Sequence, residues 1–279
     1  MNGIDKIVMK AFGCARLPFT NSIPCDAVVR FEQTGRLLGL LQICACTSSF
    51  MVVTAPPGCG KSTVLRLFRH SLDSREAQFI YIADSALTPR WLYNNALKSL
   101  GLEGRFYRGD GKRLLHEKLK SIRDCSGKKI VMVVDEAHLL DYETLEEVRF
   151  LLNAEDLDSG SPMALVLCGQ EELWQKLGME RCQAIAQRID YVGRLSPLSQ
   201  EDAVKYISSQ ISSAGFKSNP FTDEAAAGIA ERSGRVPRII NKICMHCLIH
   251  AITKGKEVVG PDMVKAILDN EIPECMLDR

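Results

Sequence analysis

Two glycines and a lysine raise the first chemical question. In TAPPGCGKST, Thr54 to Thr63, Gly58 and Gly60 stand ahead of Lys61 and Ser62 at the spacing G-x-x-x-x-G-K-[ST], with Ala55 where that pattern begins with glycine. A loop of this kind turns backbone N–H groups inward onto a polyphosphate and hands it to the positive N-terminal end of the next helix. Pro57, Gly58, Cys59, Gly60, Lys61, Ser62 and Thr63 would form the cradle. Lys61 reaches the β and γ phosphates and the Ser62 hydroxyl joins a Mg²⁺ shell, so ATP with Mg²⁺ is the expected cofactor pair. Ala55 is the next smallest residue and is tolerated at a strand exit.

Asp135 and Glu136 form the second constellation, at the end of KKIVMVVDEAH. Asp135 is expected to hold Mg²⁺ through water, and Glu136 to orient and deprotonate the water that attacks the γ phosphate. A phosphate loop together with an apolar strand ending in Asp-Glu is far more specific than either part. Phosphoryl transfer also needs positive charge on the group in flight. Arg188 in AQRID, and Arg235 and Arg238 in GRVPR, are the arginines placed to supply it.

These residues need a sheet to carry them. The apolar runs at Phe50–Val53 and Ile130–Val134, and the segments QFIYIAD and SPMALVLCGQ, read as buried strands of a parallel sheet, whose carboxyl ends are where ligands bind. A short edge strand follows AIAQRIDYVGRL. Helical patterns run from Asp26 towards Ile43, over Val64–Phe68, and after Thr88 as N-cap with Pro89 at the first position and Gly101 as stop. The polar connector EGRFYRGDGKR leads to a further helix through Lys120. From Ser196 onward the patterns are helical without strands, with starts at Ser199, Thr222 and Asp262. The expected division is therefore 1–195, an α/β nucleotide-binding domain with an N-terminal segment, and 196–279, a helical lid domain with a tail.

Composition is that of an ordinary soluble chain, 46% hydrophobic and 25% charged over 279 residues. No apolar stretch approaches the ~18 residues of a membrane helix, and MNGIDKIVMKAFG lacks the basic start and long apolar core of a signal peptide. A cytoplasmic location with no membrane is the expectation. Eleven cysteines, an odd number, are expected as free thiols. The pairs Cys44/Cys46 and Cys244/Cys247, the latter near His246 and His250, are weak candidates for zinc because the second lies inside a helical run. Cys59, beside Lys61 at a helix start, is a candidate oxidisable thiol.

Taken in order, APPGCGKS, VMVVDEAH, LVLCGQEEL, QRI, PLS and GRVPRIINKIC resemble an AAA+ ATPase, most closely the ExeA/GspA-like group that also holds the transposition helpers TniB, TnsC and MuB. The resemblance spans FGCARLPF to about Ala266. It implies a five-stranded parallel sheet between helices with a small C-terminal helical lid. It also implies Gln170 as sensor at the end of the fourth strand, Arg188 as a finger acting on a neighbouring subunit, and Arg238 as the lid's sensor arginine. A finger supplied in trans implies a homo-oligomer, ring or filament. Gln170 departs from the more usual Asn or Thr, and after the second strand Asp84 and Ser85 offer no Asn to restrain Glu136.

The net charge of +1 excludes a uniformly basic nucleic-acid binder. Its distribution is uneven: 101–129 holds nine bases against four acids, +5, and 130–160 one base against nine acids, −8. The basic, aromatic connector marks Arg105, Arg108, Lys112 and Arg113 as candidate contacts to a double-stranded DNA backbone, sequence-neutral in character. The resulting expectation is an ATPase that assembles on DNA and regulates transposition, a DNA recombination reaction, by delivering target DNA to a transposase or integrase partner. The alternatives are an ExeA-type secretion-associated ATPase acting on envelope assembly, and a slow nucleotide-gated switch. The tail NEIPECMLDR is a candidate partner-docking segment.

Overall fold

The computed structural model describes residues 3–20, 23–84, 87–153 and 161–273. They divide into two compact units. One comprises Glu32–Pro57 and Lys61–Leu195. The other comprises the N-terminal segment to Phe31, Gly58–Gly60 and the chain from Ser196.

The first unit is a five-stranded sheet in the order β2-β3-β4-β1-β5, every pairing parallel. Its strands are β1 (Phe50–Thr54), β2 (Ala77–Ala83), β3 (Lys129–Asp135), β4 (Ala164–Gly169) and β5 (Tyr191–Arg194). The central β1, β3 and β4 are buried along nearly their whole length, as strands covered on both faces must be. At the edges the pattern relaxes: Tyr81 on β2 and Val192 on β5 are partly exposed. Helices of this unit are α2 (Glu32–Thr47), α3 (Lys61–Ser71), α4 (Pro89–Ser99), α5 (Arg108–Ser126), α6 (Tyr142–Leu151), α7 (Glu172–Leu177) and α8 (Gln183–Ala186). One core cluster joins Ile80, Met132 and Leu165 of the sheet to Leu92, Leu115 and Leu145 of the helices.

The N-terminal helix α1 (Gly3–Phe12) belongs to the second unit, with α9 (Gln200–Ala214), α10 (Asp223–Arg232), α11 (Pro237–Thr253) and α12 (Pro261–Asn270). The segment up to Phe31, expected with the nucleotide-binding part, is grouped instead with the C-terminal helices. Phe12 stacks on Phe216 at 5.3 Å, Phe19 meets Phe221 edge-on at 6.0 Å, and the Ala15 N–H donates to the Ala214 carbonyl at 2.9 Å. Apolar side chains too few to form a core of their own are buried this way.

Three helix boundaries differ from expectation. The pattern read from Asp26 resolves into a 3-10 turn at Cys25–Ala27, an extended Val28, and α2 only from Glu32. The connector EGRFYRGDGKR is partly helix: α5 begins at Arg108, and Asn94 pins the turn before it by accepting from the Arg105 N–H at 2.8 Å and donating to the Arg105 carbonyl at 3.1 Å. Tertiary anchoring thus outweighs the poor helix propensity of Gly109 and Gly111. In α12 the N-cap is Gly260 and Asp262 lies in the first turn, whereas Ser199 and Thr222 cap as expected, accepting from the Asp202 and Ala225 N–H groups. Of the tail, 274–279 lie outside the described residues.

Candidate nucleotide-hydrolysis site

Register brings the chemistry to the carboxyl end of the sheet. Thr54 pairs with Gly169, and Val134 with Leu167, so the loop after β1, the acids ending β3 and Gln170 after β4 all leave from the carboxyl side. Gly58 and Gly60 take φ of +84° and +97°, values that glycine adopts without strain. A Cβ on Gly58 would meet the Val236 and Arg238 side chains at 2.9 Å, while one on Gly60 would meet nothing within 4 Å. The Arg238 N–H donates to the Gly58 carbonyl at 3.3 Å, so the Arg238 backbone sits against Gly58. Lys61, nearly buried, donates to the Ala55 carbonyl at 3.0 Å, and Ser62 is exposed beside it. A turn open at Gly60, with a lysine curled back onto the loop at a helix N-terminus, fits a polyphosphate with its cation.

Asp135 is buried and doubly held: Oδ1 accepts from the Glu136 N–H at 2.9 Å and Oδ2 from the Tyr81 hydroxyl at 2.7 Å. Burial, followed by the bond to Asp135, pushes the Tyr81 phenol well up, so the hydroxyl stays a donor. Glu136 has φ 54°, a left-handed conformation costing a non-glycine residue about 1–2 kcal/mol, and its side chain is 44% exposed. Residues held in such a sparsely populated backbone region are concentrated at functional sites. Gln170 Nε2 lies 3.0 Å from His138 Nε2, and His138 Nδ1 lies 3.4 Å from Glu136 Oε2. Lys176 donates to the carbonyls of His138 at 2.5 Å and Leu140 at 2.7 Å, which fixes the turn after Glu136.

Lys61, Asp135, Glu136 and Gln170 thus lie at the same carboxyl end of the sheet. Arg188 is exposed and turned onto its own chain, donating to the Arg149 carbonyl at 3.3 Å and to Asn153 Oδ1. Arg238 is exposed, and so is Arg235, at φ 61°. Tyr81, His138 and Lys176 are absent from the sequence reading; DEAH places a histidine beside the acids and was the one available signal.

The four candidate DNA contacts separate. Arg108 and Lys112 face the nearly buried Glu147 at 3.6 and 3.3 Å, and Glu147 also accepts from the Tyr93 hydroxyl. Arg108 further pairs with Glu143 at 2.7 Å. Compensating a carboxylate taken out of water is a structural duty. Arg105 and Arg113 are exposed, the latter 3.5 Å from Asp110. Beside them Phe106 and Tyr107 are 76% and 69% exposed, and Arg90 lies over both Phe106 and Trp91. Cys59 is buried, and Cys244 and Cys247 lie buried within α11, where His246 and His250 turn to Glu271 at 3.2 and 3.0 Å. No cluster of metal-ligating side chains occurs among the described residues, and no described helix is long and apolar enough to cross a membrane.

Residues 46–177 match the family model of the AAA domain. General secretion pathway protein A of Aeromonas hydrophila is 32% identical over 255 residues, 89% of this chain and 45% of that protein, so the chain spans about half the length of this relative. Among solved structures, Cdc6p from Pyrobaculum aerophilum superposes with a TM-score of 0.72 at 20% identity, over 93% of this chain and 72% of that one. Drosophila ORC bound to DNA does so with a TM-score of 0.69 at 18% identity, over 100% of this chain and 68% of that one. At such identities the structural likeness establishes the fold. The chain therefore carries an AAA-type ATPase domain on an α/β P-loop fold, followed by a helical C-terminal region.

Proposed function

We propose that the chain is a Mg²⁺-dependent ATPase that acts as a homo-oligomer and serves a secretion pathway, the process that the name of its curated relative states for that protein. Pro57–Thr63 cradle the phosphates, with Lys61 on the transferring end. Ser62 and Asp135 hold the cation, whose charge offsets that developing on the phosphoryl oxygens. Glu136 takes the proton of the attacking water, Gln170 senses the γ position, Arg238 contacts the nucleotide from the lid, and Arg188 serves a neighbouring copy. The observation that carries this reading is the strand register that delivers Lys61, Asp135 and Glu136 to the carboxyl end of the sheet.

The test is phosphate release from ATP with Mg²⁺ and with chelator, for the parent and for Lys61→Ala. Hydrolysis that needs Mg²⁺ and Lys61 supports the reading; hydrolysis indifferent to both removes it. A second reading, the DNA-delivering transposition regulator, is favoured by the exposed cluster Trp91, Phe106 and Tyr107 with Arg90, Arg105 and Arg113. ATP-dependent retention on duplex DNA across a salt series separates the two. Its salt slope is expected to fall on substitution of Arg105 and Arg113 and to persist on substitution of Arg108 and Lys112.

A further inference from the structure

The backbone of Glu136 does not fix where its carboxylate points: the residue stands in a left-handed turn with a half-exposed side chain. His138 is the group that faces it. The imidazole is 10% exposed and occupies the space left by the missing side chain of Gly169, where a Cβ would come within 3.0 Å of the His138 backbone nitrogen and 3.4 Å of Nδ1. Its main chain is fixed by Lys176.

The protons on the ring follow from its two neighbours. Gln170 presents its amide nitrogen to Nε2 at 3.0 Å, so Nε2 accepts and the ring proton sits on Nδ1. The reverse assignment would leave Nδ1 bare opposite a carboxylate and is disfavoured. Nδ1 is buried and has no hydrogen-bond partner among the described residues, and Glu136 Oε2 lies 3.4 Å away, near enough for attraction and misaligned for a full bond. Leaving a buried N–H unsatisfied is costly, which favours the Glu136 orientation that brings Oε2 to it.

We propose that His138 is a positioning residue that orients the Glu136 carboxylate and couples it to Gln170. The inference rests on the assignment of Glu136 as the base. A shift of the Gln170 amide on meeting a γ phosphate would pass through the imidazole to Glu136, so the base aligns when the triphosphate is present.

The test is steady-state ATP hydrolysis with nucleotide affinity measured separately. His138→Ala is expected to lower kcat about ten- to a hundredfold while KM and nucleotide affinity change by less than about threefold. His138→Gln, which keeps an N–H at that place, is expected to recover part of the loss. Gly169→Ala, whose Cβ would press on the His138 backbone nitrogen at 3.0 Å and on Nδ1 at 3.4 Å, is expected to shift His138 and to lower kcat in the same direction. In the double variant of His138→Ala with Gln170→Ala the two losses should not add, as coupled residues require. Unchanged kcat in His138→Ala, or equal loss of kcat and affinity, overturns the proposal. Full turnover in Glu136→Gln would instead remove the base assignment beneath it, so the two failures are told apart.

Discussion

Glu136 and Asp135 are adjacent in sequence and opposite in environment. Asp135 is buried with both oxygens engaged, and Glu136 is half exposed on a strained backbone. One is suited to hold a cation rigidly and the other to take up and release a proton. Glu136→Gln keeps the shape and removes the basicity. It is expected to bind ATP as the parent does and to lose at least about a hundredfold in kcat, read by single-turnover hydrolysis beside equilibrium nucleotide binding. Lys61→Ala removes a nearly buried charge at the loop and is expected to fail at binding itself, so the pair separates grip from chemistry.

At the scale of elements, Gly58 packs against the start of α11. Its φ of +84° and the 2.9 Å approach of a Cβ to Val236 and Arg238 leave no room for a side chain. Gly58→Ala is therefore expected to lose roughly 1–3 kcal/mol, seen as a lower Tm, together with weakened ATP binding. Caps give a finer gauge. Thr222→Ala deletes the acceptor for the Ala225 N–H and should cost about 1 kcal/mol in denaturant unfolding, and Asp262→Ala, inside the first turn of α12, should cost less. These elements differ in how far the chain alone revealed them. Val52, Met132 and Leu165 lie in apolar runs and so declared a parallel sheet, and the loop and Asp135–Glu136 declared themselves by spacing. Gly260 could not be told from Asp262 as the cap, because an acid in a first turn and a cap leave similar traces. Tyr81 and His138 were invisible because their roles depend on strand register and on the gap at Gly169, not on their neighbours in sequence. Arg108 and Lys112 looked free because Glu147, their partner, is 35 residues or more away along the chain.

For the whole molecule, buried thiols and phenols set the alkaline limit. Burial pushes Cys44 and Cys247 up to about 12 from an ordinary value of 9.0, and Tyr206 to about 12 from 10.0. Above the ordinary values the unfolded chain has released these protons and the folded chain retains them. The unfolded state then binds fewer protons, and stability falls as pH rises through this window. The urea midpoint is expected to drop between pH 9 and 11, and Cys44→Ala should flatten that drop. The last question at this scale is whether the site is complete in a single copy. Arg188 is engaged with Arg149 and Asn153 of its own chain, on an exposed surface, and must leave those partners to meet a phosphate elsewhere. If it serves a neighbour, Arg188→Ala and Glu136→Gln disable different halves of one composite site. Each variant alone is expected to be nearly inactive. Mixed, a subunit that keeps Glu136 receives Arg188 from one that lacks the base, and turnover returns in proportion to the interfaces so formed. Hydrolysis measured across mixing ratios decides it: recovery peaking near equal amounts establishes an arginine given in trans, and a flat line at zero would leave Arg188 outside the reaction of its neighbour.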